Sequence, residues 1–280
     1  MSKPKVRTGI VGAGFAASFH IEAARRVHGA DVDVIGVHAR TAASTQKYAD
    51  THGIAAFADL DALLEKIDVL HVCIPPALHE AVAIKALEQD VFAIVEKPLT
   101  GYFGDGTKGF DGRTASMAEA RTGALDSVSR MLAAENSSKG RILYAENWVY
   151  APTIQKEREI LEKTKGQILW MHGEEAHSGS HAPSYGHWNL AGGGAMIGKG
   201  CHPLTAALYL KGVEGRARFG KPIRPATVTA RTHALTQLPE FVDTGHIRAD
   251  YVDIEDFAMT HVTFQDGTVA TVFASDIVLG

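Results

Sequence analysis

Two charged residues stand directly after an apolar run, where a side chain could handle protons. The run at 91–95, Val-Phe-Ala-Ile-Val, is followed at once by Glu96, Lys97 and Pro98. Such runs are typical of strands buried in a parallel sheet, and proline restricts the preceding residue to extended geometry. Lys97 would be held at the strand's carboxyl end, where a partly buried lysine can donate a proton or polarise an oxygen. The alternative is a surface lysine paired with Glu96.

His202 is a second candidate for proton transfer. It precedes Pro203 in a sequence that predicts a helix over 203–211, with proline in the first turn. A histidine at a helix N-terminus lies near the positive end of the helix dipole, which favours the neutral imidazole. A neutral imidazole can accept a substrate proton, and the alternative is that His202 only caps the helix.

A glycine pattern near the start predicts a dinucleotide site. Gly12-x-Gly14-x-x-Ala17 stands between a strand-like run and a helix-like run. Gly12 allows a tight turn, Gly14 lets a pyrophosphate approach the backbone, and Ala17 permits close packing of helix on strand. The second strand ends with Arg40 and no acid, and an arginine there suits the 2′-phosphate of NADP. We therefore favour NADP(H), with NAD(H) as the alternative if Arg40 is a solvated loop residue.

The elements that must position these residues follow a clear order. Strands alternate with helices in the first half, which predicts βαβ units and a parallel sheet. The pattern breaks in a glycine-rich loop at 100–117, and the β-rich tail contains Asp266-Gly267, a hairpin signal. We expect an α/β chain with a Rossmann dinucleotide-binding domain at 1–147. An α+β domain with a mostly antiparallel open sheet follows at 148–280, for substrate binding and oligomerisation.

Composition narrows the classes of partner. The 280 residues are 45% hydrophobic, which is ample for a packed core, and the net charge is −4. No basic excess points to nucleic acid or to a membrane surface, and no stretch approaches the roughly 18 apolar residues of a spanning helix. The start lacks a secretory signal, and two cysteines make no disulfide scaffold. We expect a cytoplasmic protein.

A stretch rich in histidine and glutamate raises the question of a metal site. Its members are His172, Glu174, Glu175, His177, His181 and His187. Their spacing matches no zinc signature, so no metal is predicted. Polar side chains of this kind, in a strand and loop that line a cleft, would suit a polyhydroxylated substrate.

Four segments together resemble one family, the Gfo/Idh/MocA oxidoreductases, which include glucose–fructose oxidoreductase and inositol dehydrogenase. The segments are GIVGAGFAASFH at 9–20, CIPPALHEAVAIKALEQDVFAIVEKPL at 73–99, ENWVYAPTIQ at 146–155 and GGGAMIGKGCHPLTAALYL at 192–210. The resemblance runs from residue 6 to the end. It implies hydride transfer between a nicotinamide and a hydroxyl-bearing carbon of a sugar or polyol, with subunit contacts through the second sheet.

The resemblance also implies roles for residues. Lys97 would sit beside nicotinamide and substrate, Glu96 would order the cofactor end of the site, and His202 would transfer a proton. The predicted cofactor contacts are Gly12, Gly14, Phe15, Ala16, Arg40, Pro75, His79, Glu96 and Lys97. The predicted substrate contacts are Asn147, Trp148, His177 and His181, although Trp148 would serve equally well as core between the domains.

Two departures from the family pattern leave other functions open. Position 198 is glycine, where the family commonly has an aspartate that completes a Lys-Asp-His set. The chain is also shorter than typical members, so we expect an incomplete second sheet. One alternative is a cofactor-binding protein without net redox turnover, such as a sensor or partner subunit. Another is a glycosidase or lyase that uses NAD transiently, as some family members do.

Overall fold

The computed structural model describes residues 3–106, 109–180 and 182–279 of the chain. These residues form two compact units, the first from 1–102 and 117–145 and the second from 103–116 and 146–280. The predicted domain boundary lies after Asn147, whereas this division falls after Ala145 and assigns most of the glycine-rich loop to the second unit. The roles assigned to the two domains stay predictions.

The first unit is a six-stranded parallel sheet with helices between the strands. Its strands are β1 (Lys5–Val11), β2 (Asp31–His38), β3 (Ala55–Ala56), β4 (Val69–Val72), β5 (Phe92–Glu96) and β6 (Ile142–Ala145). They lie in the order β3-β2-β1-β4-β5-β6, and every pairing is parallel. This is the strand order of a Rossmann sheet, which binds its ligand outside the carboxyl ends of the strands where the order reverses. The predicted Rossmann fold is confirmed.

The helices of this unit cover an apolar core. They are α1 (Phe15–Arg25), α2 (Ala42–His52), α3 (Leu60–Leu64), α4 (His79–Glu88) and α5 (Met117–Asn136). Ala93 and Val95 of β5 are fully buried in a cluster with Met131 of α5, as the apolar run predicts. Gly53 ends α2 with a φ of 65°, the left-handed conformation that glycine commonly adopts at the end of a helix.

The second unit is α+β. It contains α6 (Pro152–Thr164), β7 (Trp170–Ala176), α7 (Trp188–Ala191), α8 (Cys201–Phe219), β8 (Pro225–His233), β9 (Phe257–Phe264) and β10 (Val269–Ser275). The sheet order is β7-β10-β9-β8, in which only the β7–β10 pairing is parallel. The mostly antiparallel sheet and the hairpin at Asp266-Gly267 are confirmed. In the part of the chain that the structure describes, no helix is long and apolar enough to cross a membrane.

The helix that carries His202 begins earlier than the sequence predicts. A π-helical turn at Met196–Gly200 runs directly into α8, so helical backbone starts well before Pro203. The expectation that His202 feels the positive end of a helix dipole is therefore wrong, because His202 lies inside a continuous helical segment. The sequence does not predict this turn because it contains Gly198 and Gly200, and glycine is a poor helix former.

A buried carboxylate explains why the helix can start there. Glu255 accepts hydrogen bonds from the N–H of Gly194 (2.9 Å) and of Met196 (3.1 Å). Burial is the main cause that raises the pKa of Glu255, and these backbone hydrogen bonds oppose it. A Cβ at Gly194 would lie 1.7 Å from the carbonyl oxygen of Glu255, so this glycine is required by close backbone approach rather than by a ligand.

The loop at 103–116 is held within the second unit. Asp253, 7% exposed, accepts hydrogen bonds from the backbone N–H of Gly112 (3.0 Å) and of Trp188 (2.8 Å). A Cβ at Gly112 would lie 2.3 Å from the Trp188 ring, so the loop backbone packs directly on that ring. This part of the glycine-rich loop is thus an ordered piece of the second unit.

Buried charges tie the long helix to the sheet. Lys211 of α8 is fully buried, and its Nζ contacts Glu214 (2.6 Å) and Asp266 of the β9–β10 turn (2.9 Å). Lys199, 1% exposed, pairs with Asp276 just after β10 and lies 3.4 Å from the Ser180 hydroxyl. Each buried ion requires its partner, because an unpaired charge in the interior is costly.

We therefore predict that Lys199→Met strongly destabilises the chain. The change would leave the Asp276 carboxylate buried without its counter-ion, which costs about 3–5 kcal/mol of unfolding free energy. Urea unfolding followed by tryptophan fluorescence measures the loss. Lys156→Met is the matched control, because Lys156 pairs with Glu159 on the exposed surface of α6 and such pairs contribute little. Equal midpoints for the two variants would contradict the prediction.

Candidate active site

Gly12 lies after β1, where the neighbouring strand leaves no room for a side chain. Its φ is 107°, and a Cβ there would lie 2.1 Å from the carbonyl oxygen of Cys73, which follows β4. Its N–H donates to the carbonyl oxygen of His38 at the end of β2 (2.8 Å). The chain itself requires glycine at this position, with or without a cofactor.

Gly14 is different, because nothing in the chain forbids a side chain there. An added Cβ would meet no atom within 4 Å, and the φ of −100° suits any residue. Gly14 directly precedes α1, whose first two residues, Phe15 and Ala16, are predicted cofactor contacts; Phe15 is 75% exposed. Ala17 is fully buried and packs α1 on the sheet. Open space over a helix N-terminus fits the pyrophosphate of a dinucleotide.

The end of β2 offers a cation and no acid. Arg40 is exposed two residues after His38, the last residue of β2. The His38 ring is held by the carbonyl oxygen of Phe57, which lies 3.1 Å from its Nδ1. Arg40 is thus placed where an arginine could meet a phosphate on the adenosine ribose, and that role stays a prediction.

Glu96 is part of a chain of buried side chains. Its Oε1 accepts a hydrogen bond from His20 Nε2 (3.0 Å), and His20 Nδ1 lies 2.9 Å from His71 Nδ1. Burial first, and the charge of His20 second, lower the pKa of His71 to about 3, so this imidazole is neutral. Burial alone would raise the pKa of Glu96, but His20 and the backbone N–H of Lys97 outweigh it and lower that pKa. Glu96 is therefore a fixed anion.

Lys97 sits at the carboxyl edge of the sheet, as predicted. Its backbone N–H donates to Glu96 Oε2 (3.0 Å), its side chain is partly buried, and the Lys97–Pro98 peptide bond is cis. Both carboxylate oxygens of Glu96 thus accept hydrogen bonds, from His20 and from this N–H. This arrangement fits a positioned lysine better than a solvated surface one, and its catalytic role stays a prediction.

His79 proves to be deeply buried. It is 1% exposed, and its ring nitrogens lie 2.9 Å from the carbonyl oxygens of Pro98 and Ile74. Burial is the largest cause that lowers the pKa of His79, against the pull of these carbonyls. The ring therefore fastens the segment after β4 to the segment after β5. Contact with a cofactor, predicted for His79 and for partly buried Pro75, is untested.

In the second unit, His202 is enclosed by two carboxylates and an indole. Its Nδ1 contacts Oε1 of Glu146, which is 1% exposed and follows β6. Its Nε2 lies 3.9 Å from Glu175 Oε2, and the Trp148 ring stacks on the imidazole with centroids 6.0 Å apart and planes 17° apart. His202 itself is 7% exposed. Such a ring is held in one orientation and can exchange a proton.

Strand alternation separates the acids of β7. His172 and Glu174 are exposed, whereas Glu175, between Glu174 and the end of the strand, is partly buried near His202. Neighbouring side chains of a strand point to opposite faces, so the two glutamates cannot serve one site. Within the described ranges, no group of three or more His, Cys, Asp or Glu could hold a metal ion.

The remaining predicted substrate contacts are less constrained. Asn147 is exposed between Glu146 and Trp148. His177 is exposed after β7, and its Nδ1 accepts a hydrogen bond from the N–H of Gly179 (3.1 Å). His181 lies outside the described residues. A substrate role for any of these residues stays a prediction.

The structure brings the predicted residues together in two groups. Gly12, Glu96 and Lys97 share the carboxyl edge of the Rossmann sheet, and Trp148 and His202 stack in the second unit. Sequence reasoning missed His20, His71 and Glu146. Like Glu96, Glu146 is an acid at the carboxyl end of a strand-like run in the sequence, and that signal could have identified it.

Comparison with known families gives two matches. Residues 6–109 match the model of an oxidoreductase family with an NAD-binding Rossmann fold. Residues 154–280 match the GFO/IDH/MocA C-terminal domain. The N-terminal match is to the NAD-binding domain of the family and the C-terminal match is to its C-terminal domain.

Individual relatives are more distant. An inositol 2-dehydrogenase of Arthrobacter sp. (strain FB24) is 37% identical over 98 residues, which cover 34% of this chain and only 29% of that enzyme. A dTDP-3,4-didehydro-2,6-dideoxy-alpha-D-glucose 3-reductase of Streptomyces antibioticus is 27% identical over 252 residues, or 86% of this chain and 68% of that one. The structure of GenD2 from gentamicin A biosynthesis, in complex with NAD, superposes with a TM-score of 0.75 at 22% identity. It covers 100% of this chain and 68% of that one.

Because only Gly12 is sterically restricted by the chain, substitutions at Gly12 and Gly14 should affect stability and cofactor binding separately. Gly14→Ala keeps the fold, because its Cβ meets nothing, but it fills the space of a pyrophosphate and weakens dinucleotide binding by about tenfold or more. Gly12→Ala is the comparison, because its Cβ would clash with the Cys73 carbonyl and lower the stability of the unit. Calorimetric titration with NADPH and NADH, together with thermal unfolding, separates binding from stability. Unchanged affinity in Gly14→Ala would refute the assignment.

Proposed function

Because the chain belongs to the GFO/IDH/MocA oxidoreductase family, we propose that it transfers hydride between a nicotinamide cofactor and a hydroxyl-bearing carbon of a sugar or polyol. The observation that carries this proposal is Lys97, held at the carboxyl edge of the Rossmann sheet beside an ionised Glu96. The open space at Gly14 supports dinucleotide binding.

Two side chains of this chain handle the proton. The nicotinamide, when bound, supplies the hydride acceptor or donor. Oxidation of an alcohol also releases the hydroxyl proton, and reduction takes one up. Lys97 would hold and polarise the reacting oxygen through Nζ, and His202 would accept or return the proton. With Gly198 in place of the family's usual aspartate, these two residues form the catalytic set we assign.

The relatives support the substrate class. The relatives include an inositol 2-dehydrogenase and a dTDP-3,4-didehydro-2,6-dideoxy-alpha-D-glucose 3-reductase. We assign this chain a sugar or polyol substrate, contacted by Asn147, Trp148, His177 and His181. The exposed Asn147 beside Trp148 and the exposed His177 after β7 suit a ligand rich in hydroxyl groups.

We assign NADP(H) as the preferred cofactor, on the basis of Arg40. Its guanidinium is exposed just after β2, and no acid stands at 38–40 to bind a ribose 2′-hydroxyl. NAD(H) remains the alternative, since the family model and the GenD2 structure both carry NAD in their descriptions.

For partners, we propose a small-molecule substrate and self-association, with no nucleic acid and no membrane. The second sheet leaves one face open, on which Trp170 of β7 is 68% exposed and Met259 of β9 is 51% exposed. Apolar side chains on an uncovered sheet are typical of an interface. We also retain the cytoplasm as the expected location.

The first test is turnover. Wild-type protein is mixed with NADP⁺ or NAD⁺ and a panel of polyols and nucleotide-linked sugars, and absorbance of the reduced nicotinamide is followed. Net accumulation of reduced cofactor supports the proposal. Binding without a spectral change would replace it with a sensor or partner subunit, and product release with unchanged cofactor would replace it with an NAD-assisted glycosidase or lyase.

We expect Lys97→Ala to lower kcat by about 100-fold or more, the usual contribution of a positioned proton-transfer group. Cofactor affinity should change much less, because the glycine turn is intact. Lys139→Ala is the matched control, since Lys139 lies in the same unit with its side chain 88% exposed and pairs with Asp90. Full turnover in Lys97→Ala would remove this lysine from the mechanism.

Arg40→Ala should weaken NADPH binding by about 10- to 100-fold and leave NADH binding unchanged, because a hydrogen bond to a charged group contributes roughly 1.5–3 kcal/mol. Fluorescence titration of both cofactors gives the ratio. Arg121→Ala, an exposed arginine on α5 of the same unit, controls for general loss of positive charge. An unchanged NADPH to NADH ratio would overturn the cofactor assignment.

A further inference from the structure

Glu146 is the buried acid that the predicted site leaves without a role. It lies directly after β6 and is 1% exposed. Its Oε1 contacts Nδ1 of His202 and also accepts a hydrogen bond from the backbone N–H of Trp148 (3.2 Å). Its Oε2 is buried and, among the residues described, has no hydrogen-bond partner. Taking a carboxylate out of water costs several kcal/mol unless a partner compensates it, and the imidazole of His202 is the ionisable partner in contact.

The contact fixes which ring nitrogen of His202 carries the proton. A carboxylate only accepts hydrogen bonds, so the N–H at Nδ1 must be the donor and Glu146 Oε1 the acceptor. In the neutral ring Nε2 then bears the lone pair. The ring cannot easily turn over, because Trp148 stacks on it and His202 is 7% exposed. The proton-accepting nitrogen therefore points away from Glu146, toward the side where Glu175 is partly exposed.

We propose that Glu146 is the positioning residue of a Glu146–His202 pair, which keeps Nδ1 protonated and stabilises the imidazolium that forms when Nε2 takes the substrate proton. The proposal rests on the proposed function. In oxidation the O–H bond breaks and its proton moves to Nε2, the C–H bond breaks and its hydride reduces the oxidised nicotinamide, and a carbonyl forms. His202 then returns the proton to solvent. A histidine oriented by a carboxylate works in this way in other proton-transfer sites.

Charges around the ring agree with this assignment. Glu146 faces His202 from the segment after β6, and Glu175 faces it from β7. On the histidine's own helix, the nearby cation Lys199 is paired with Asp276 and so adds little positive charge. An imidazolium formed at His202 would thus have two carboxylates within reach.

Glu146→Gln tests the pair with little change of shape. We expect kcat to fall by about 10- to 100-fold, as is usual when a residue that orients a catalytic group is lost. Without the carboxylate, an imidazolium at His202 would lose the negative charge that contacts it. The rise of kcat/KM with pH in the oxidation direction should then move by about one unit to lower pH. KM for the cofactor should not change.

Asp253→Asn is the matched control. It removes another buried carboxylate of the same unit, one that accepts hydrogen bonds from the backbone N–H groups of Gly112 and Trp188. This variant should lose stability without any shift in the pH profile. An unshifted profile in Glu146→Gln, or an equal shift in both variants, would overturn the proposal and leave Glu146 a structural residue.

A second measurement needs neither a variant at Glu146 nor turnover. In ¹⁵N-labelled wild-type protein, long-range ¹H–¹⁵N correlation spectra report the tautomer of His202, assigned by the signal missing in His202→Asn. The proposal expects the Nδ1–H tautomer in the neutral ring. An Nε2–H tautomer would overturn it. If no sugar is turned over while the Nδ1–H tautomer is present, the proposed function fails and the pairing stands.

Discussion

The parallel pairing of β1, β4 and β5 is the constraint on which the first unit depends. Parallel strands bring their carboxyl ends to one edge, so residues far apart in sequence meet there. Position 12 requires glycine because the carbonyl oxygen of Cys73 occupies the space that a side chain would need. Glu96 and Lys97 lie at the same edge because the next strand ends there. The sheet thus fixes both the space for a dinucleotide and the charged groups beside it.

The second unit obeys a different constraint, the compensation of buried charge. Glu255 starts the helical segment by accepting two N–H groups, and Glu146 contacts the histidine that the segment carries. Asp253 holds the loop at 103–116 in the same way. Carboxylates, more than apolar contacts, decide where the polar backbone of this glycine-rich region goes, because buried N–H groups must find acceptors.

The features that could be predicted from the sequence are those that depend on residues close together in the chain. The glycine turn, the strand before Glu96 and the Asp266-Gly267 hairpin each depend on neighbours within a few positions, and each was found. The start of the helix before His202 was not, because the acceptor that satisfies its N–H groups, Glu255, is 61 residues away from Gly194. Likewise, Glu146 is 56 residues from His202, and only the folded chain shows which acid meets which histidine.

Two buried cations of the second unit, Lys199 just before the long helix and Lys211 within it, each meet an acid that lies elsewhere in the chain. Asp276, the partner of Lys199, follows β10. Asp266, which contacts Lys211 together with Glu214 of the same helix, lies in the turn between β9 and β10. A change of either member alone strands the other's charge. A change that removes the charge at one of these positions would therefore need a compensating change at the position that it faces.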